Sequence, residues 1–181
     1  MVPLQILWVN LVTGALMAIP LGLEPKTGQE LAAPPRDPRV SLIFRGLILR
    51  VAFMAGMLGI GTFLVFWWTY SHYELLEART MAFCSIVIFE WLMALNARSD
   101  EFTVFKLGFF RNRFILGGIL IGLTLQLLVI YIPAFHDPFD TVALKGHEWL
   151  IAALPGLLIF IAESLRKTWA PGLFSQGKWK P

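Results

Sequence analysis

The sequence predicts an all-α fold, a polytopic transmembrane helical bundle of five spans, and three observations predict it. Hydrophobic residues make up 57% of 181 positions and charged residues only 15%, with a mean hydropathy of +0.68, which is more apolar surface than a water-soluble core can hide. The apolar residues gather in five runs of membrane-crossing length, at 3–23, 47–70, 80–97, 114–132 and 149–165, with polar connectors between them. The basic residues are sorted by connector. Lys26, Arg36, Arg39, Arg45 and Arg50 surround the first, Arg98, Lys106, Arg111 and Arg113 fill the third, and Arg166, Lys167, Lys178 and Lys180 follow the last run; only Arg79 and Lys145 fall on the other side. The positive-inside rule then puts the carboxy terminus in the cytoplasm and the amino terminus outside, an arrangement that suits a prokaryotic plasma membrane.

A net charge of +3 raises the question of nucleic acid. The basic residues form no stripe with interleaved aromatics, so no nucleic acid is expected, and the lipid bilayer with its anionic cytoplasmic leaflet is the expected partner. One cysteine, Cys84, lies inside an apolar run and excludes a disulfide framework or a paired-thiolate metal site. The first run has no positive segment ahead of it and is too long for a signal peptide, so it stays in the protein.

The first run, PLQILWVNLVTGALMAIPLGLEP, is a helix with something to coordinate. At about 1.5 Å per residue, Pro3 to Leu23 crosses a bilayer. Asn10 and Thr13 are three apart and share a helical face, with Gly14 beside them. Pro20 has no backbone N–H, so a carbonyl near Leu16 is left free. A polar patch beside a weakened helix is the material of midplane ion sites; the plainer reading is that Asn and Thr bond to neighbouring helices. The connector that follows is stiffened by Pro34, Pro35 and Pro38 and carries Arg36 and Arg39, which serve at least as membrane-face anchors.

The second run, at 47–70, carries Gly56, Gly59 and Gly61 for close packing and ends in Trp67, Trp68 and Tyr70 at the far interface. The third, at 80–97, places Glu90 in an apolar interior, where a carboxylate is costly unless it meets water, a cation or a donor. A bonded structural Glu is the alternative there. The connector 98–113 contains FKLGFFRNR, which suits an interfacial position. In the fourth run, at 114–132, Gly117, Gly118 and Gly122 make a surface of small residues, and Gln126 is placed to bond across helices. The fifth, at 149–165, is interrupted at Pro155-Gly156 and carries Glu163 within ion-pair reach of Arg166 and Lys167.

LQILWVNLVTGALMAIPLGLEP, the loop APPRDPR, MAFCSIVIFEWLMALNARS and LQLLVIYIP occur in this order along the chain. Together they resemble the sixth to tenth membrane helices of P-type cation-transporting ATPases, the calcium and sodium/potassium pump branch above all. The resemblance implies a carboxy-terminal membrane domain whose cation pathway, and any metal ligation, involves Asn10, Thr13 and Glu90. It also implies that Arg36 and Arg39 sit in a cytoplasmic domain-coupling loop near the phosphorylation machinery. The complete pump would use ATP and Mg2+, whereas this chain has neither the DKTG-type phosphorylation sequence nor a nucleotide loop, so no cofactor and no ATP hydrolysis are expected of it alone. Calcium and sodium pumps usually carry an Asp directly after WVNLVT, where this chain has Gly14. The loss of charge and oxygen there favours a monovalent cation or a proton over high-affinity calcium.

Two readings follow. In one the chain is part of an ion pathway, joined to or partnered with a catalytic half that includes the first five membrane helices; an outside amino terminus with little sequence ahead of the first span fits such a fragment. In the other it is a non-transporting membrane assembly or scaffold protein derived from a pump.

Overall fold

The computed structural model describes residues 1–25, 43–100 and 102–170. Five helices long and apolar enough to cross a membrane lie among these residues, with no strand among them. In chain order, α1 spans Pro3–Gly22, α2 Arg45–His72, α3 Leu75–Ala97, α4 Val104–Leu107, α5 Arg113–Tyr131, α6 Pro133–Phe139 and α7 Gly146–Trp169. The short α4 and α6 belong to connectors. Arg36 and Arg39 lie outside the described residues, as does the basic tail beyond Ala170.

Local chemistry sets several ends. Asn112 caps α5, its Oδ1 accepting the Phe114 and Ile115 N–H groups at 3.1 Å each. Glu148 reaches back from the first turn of α7 to the Lys145 N–H at 2.6 Å. Asp140 closes α6 with φ of 50°, in the left-handed region that ends helices. The interruption expected at Pro155-Gly156 is absent: α7 runs through both, because neighbouring helices surround the site where the proline removes a ladder bond.

The hub of the bundle is α3, with 67% of its central window buried against 6% for α2. Met81, Phe83, Cys84 and Val87 on α3 are wholly covered; α7 packs on one flank of the helix, α2 on another, and α1 with α5 on a third. The outer faces expose Phe53, Ile60 and Phe63 of α2 and Leu120 and Ile121 of α5, as hydrocarbon permits and water does not.

Small residues let backbones meet. A Cβ at Gly156 of α7 would lie 3.2 Å from the Phe89 Cα of α3, and one at Gly118 of α5 would overlap the Leu16 carbonyl oxygen of α1. That second contact answers the expectation of a free carbonyl at Leu16. The oxygen that Pro20 leaves without a ladder partner is covered by the bare backbone of Gly118. Gly117, one residue earlier, has nothing within 4 Å of its Cβ position. Substituting Gly118→Ala should therefore destabilise the protein by about 1–3 kcal/mol, as overpacking does, while Gly117→Ala stays neutral or slightly stabilising. Thermal unfolding of the two variants in detergent measures the difference.

Candidate functional site

Between two α-helical stretches, α1 winds as a π-helix from Trp8 to Thr13, and the Gly14 N–H reaches the Val9 carbonyl five residues back. Such bulges recur at functional sites. The wider winding spreads residues three apart farther around the axis. Thr13 is wholly buried, whereas Asn10 is exposed and donates from Nδ2 to the Ile6 carbonyl of its own helix at 2.8 Å. Asn10 and Thr13 do not share the buried face that α periodicity gives them.

Thr13 does meet Glu90. Its Oγ1 hydrogen-bonds the Glu90 Oε2 across the α1–α3 contact and also lies 2.7 Å from the Val9 carbonyl oxygen. The hydroxyl has one proton to give. The Val9 carbonyl, which also receives the Gly14 N–H, and the Glu90 carboxyl are alternative acceptors for it. Beside the pair, a Cβ at Gly14 would meet only the Val9 oxygen, at 3.4 Å, so the position admits a side chain. Farther out, Trp8 Nε1 donates to Gln126 Oε1 at 3.0 Å, and Gln126 reaches Cys84 Sγ at 3.5 Å, which joins α1, α5 and α3. At the terminus Gln5 donates to the Phe139 carbonyl at 2.8 Å.

The opposite end of α1 enters a charged network. Arg98 Nη2 lies 2.9 Å and Nε 3.0 Å from the two Glu24 carboxylate oxygens, and Nη1 donates to the Gly108 carbonyl at 3.2 Å. Asn112 Nδ2 donates to Glu24 Oε2 at 2.6 Å and to the Pro20 carbonyl at 3.0 Å. Burial by itself raises the Glu24 carboxyl. The bonds from Arg98 and Asn112, with the charges of Arg98 and Arg111, outweigh it and leave the group below its ordinary value of 4.5. Sequence reasoning counted Arg98 only among the basic residues of the third connector and gave Glu24 and Asn112 no role. An Asn directly ahead of an apolar run is a helix-cap signal, and only that part was readable.

Glu163 pairs with Arg166 at 2.8 Å, three residues on, but Lys167 turns away to the Asn96 carbonyl. Its place is taken by Arg50 of α2, 2.7 Å from Glu163 and also paired with Asp100. Among the described residues, His, Cys, Asp and Glu nowhere gather in threes that could hold a metal ion, and Glu90 is the acidic group that bonds Thr13.

Residues 1–169 match the family described as cation transporting ATPase, C-terminus. Calcium-transporting ATPase type 2C member 2 of Mus musculus is 37% identical over 168 residues, covering 92% of this chain and 18% of its own length. The calcium-transporting ATPase of Bacillus subtilis is 34% identical over 165 residues, 88% of this chain and 18% of its own. Probable cation-transporting ATPase F of Mycobacterium tuberculosis is 31% identical over 163 residues, with 88% and 18% covered. The chain thus spans less than a fifth of these curated relatives.

These relatives correct one expectation. Gly14 pointed to a monovalent cation or proton over calcium, yet calcium is the ion their names state. A Ca2+ site takes six to eight oxygens, so one carboxylate missing from one helix does not decide the ion when most ligands lie on other segments.

Glu24 yields a pH prediction. A carboxyl held below its ordinary value contributes stability that is fully present above that value and is lost as pH falls through the lowered one. Stability should hold flat through neutral pH and decline below 4.5, and Glu24→Gln should weaken the decline; thermal scans across pH 3–8 read both.

Proposed function

Because the chain belongs to the cation-transporting ATPase C-terminal family, we propose that it supplies one wall of the calcium pathway of a pump. The chain corresponds to the carboxy-terminal membrane region of that family and not to the phosphorylation or nucleotide-binding parts. Hydrolysis therefore belongs to a catalytic portion with further membrane helices. The observation that carries the reading is the Thr13–Glu90 hydrogen bond at the π-wound segment of α1.

In this reading Glu90 supplies the full negative charge, Thr13 a hydroxyl oxygen and Asn10 an amide oxygen. Calcium favours such hard oxygen donors. To ligate calcium, Thr13 Oγ1 and the Glu90 carboxylate would turn lone pairs toward the ion from their place at the α1–α3 contact. The exposed side of α1, which carries Asn10, then faces the remaining helices of the pump, whose oxygens complete the shell.

The bundle has two chemically different ends, and they support the orientation. Arg45, Arg50, Arg98, Lys106, Arg111, Arg113 and Arg166 lie at the end reached by Glu24, and Arg79 and Lys145 at the end reached by Gln5. The basic end is cytoplasmic and the amino terminus outside, as in a prokaryotic plasma membrane.

Two measurements test the reading. In the reconstituted pump carrying this chain, Glu90→Gln should raise the calcium concentration for half-maximal phosphorylation by on the order of tenfold or more, through the lost charge-assisted contact. Gly14→Asp should lower it, and Glu163→Gln should leave it close to wild type. Equal calcium dependence for wild type and E90Q, at equal folded protein, removes Glu90 from the pathway. For orientation, single cysteines in a C84A background should label with an impermeant external reagent at L75C and D137C and stay protected at F105C; labelling at F105C reverses the assignment.

A further inference from the structure

We propose that Asn112, backed by the Glu24–Arg98 pair, is a positioning residue for the Thr13–Glu90 pair: it sets the height of α1 against α3 and α5. The proposal rests on the reading of Thr13 and Glu90 as the cation pathway.

The need for such a device follows from how α1 is built. Its ladder is altered twice, by the π segment at Trp8–Thr13 and by Pro20, which leaves Leu16 without an intrahelical partner. The close approach in this half, the backbone of Gly118 on the Leu16 carbonyl, holds the two helices together without a directional side-chain bond. Beside that contact runs an apolar groove of about 530 Å³, lined by Leu11, Ala15 and Ile19 of α1 and by Phe114, Gly117 and Ile121 of α5. One residue of slip moves the helix by about 1.5 Å, while a hydrogen bond keeps its strength over only a few tenths of an ångström. Without a lock beyond Pro20, Thr13 does not stay in register with Glu90.

Asn112 is built as that lock. It is 1% exposed, and its amide uses two donors and two acceptor sites at once. The oxygen holds the Phe114 and Ile115 N–H groups at the start of α5. The nitrogen holds the Pro20 carbonyl and the Glu24 carboxylate at the end of α1. Glu24 is held in turn by Arg98, one residue past the end of α3, and Arg98 is fixed by the Gly108 and Phe109 carbonyls. One side chain thereby ties the two helices that flank the groove, and the ion pair ties both to the helix that carries Glu90.

Register is read by oxidative cross-linking of T13C/E90C in the C84A chain, with T80C/V142C at the opposite end as reference, since the short Thr80 side chain accepts the Val142 N–H at 3.1 Å there. Asn112→Ala should cut the 13–90 yield by on the order of tenfold, as loss of a buried charge-assisted bond does, and leave the reference pair unchanged. Glu24→Gln should cut it less. The swap Glu24→Arg with Arg98→Glu should recover more than Arg98→Glu alone. An unchanged 13–90 yield in both N112A and E24Q overturns the proposal, and so does equal loss of both cross-links, which makes Asn112 a folding cap only. Calcium-dependent phosphorylation of the reconstituted N112A pump separates the two readings. A lost cross-link with a raised half-saturation supports both; a lost cross-link with unchanged calcium dependence keeps the positioning role and defeats the assignment of Thr13 and Glu90 to the calcium pathway.

Discussion

Hydrocarbon offers no hydrogen bonds, so every polar group that enters it must be answered by the protein. The bundle is arranged around this requirement. Glu90 is answered by Thr13 and Gln126 by Trp8, and the carbonyl exposed by Pro20 is covered by the backbone of Gly118. Each answer comes from a helix other than the one that carries the group. The polar residues, few as they are, therefore decide which helices are neighbours, and the apolar surface that makes up most of the contact fills the space between. Lipid tails compete with leucine on equal terms, so apolar contact alone could not have chosen the arrangement.

The five helices were legible because hydropathy and length are local properties: a run of about 20 apolar residues means the same thing whatever its neighbours. Glu90 was legible as an anomaly for the same reason, and so was Gln126 as a residue looking across a helix contact. What failed to show were features of winding and of distant partnership. Reading Asn10 and Thr13 on one face assumed α periodicity, and the π segment breaks that assumption with no marker in WVNLVT to announce it. Pro155-Gly156 looked like an interruption because its tolerance depends on the surrounding helices. Glu163 found its second partner in Arg50, more than a hundred positions away, where spacing arguments have no reach.

The ion was the hardest property to read. A cation's identity depends on the whole coordination shell, and this chain spans less than a fifth of the relatives it matches. Gly14 was a real observation about one ligand position, but weighing it as though the shell were complete led toward monovalent ions. The relatives' names point to calcium instead. Counting donors is informative only where the full set of donors is in view.

The π segment has a consequence for how α1 tolerates change. A straight α-helix turns by about 100° per residue, so every side chain on it has a phase locked to every other. One surplus residue at Trp8–Thr13 resets that phase midway. The amino-terminal half aims Gln5 and Trp8 at α6 and α5, and the next turn aims Thr13 at α3. The helix thus behaves as two dials on one shaft, and substitutions that retune the grip of the amino-terminal half leave the bearing of Thr13 on Glu90 unturned.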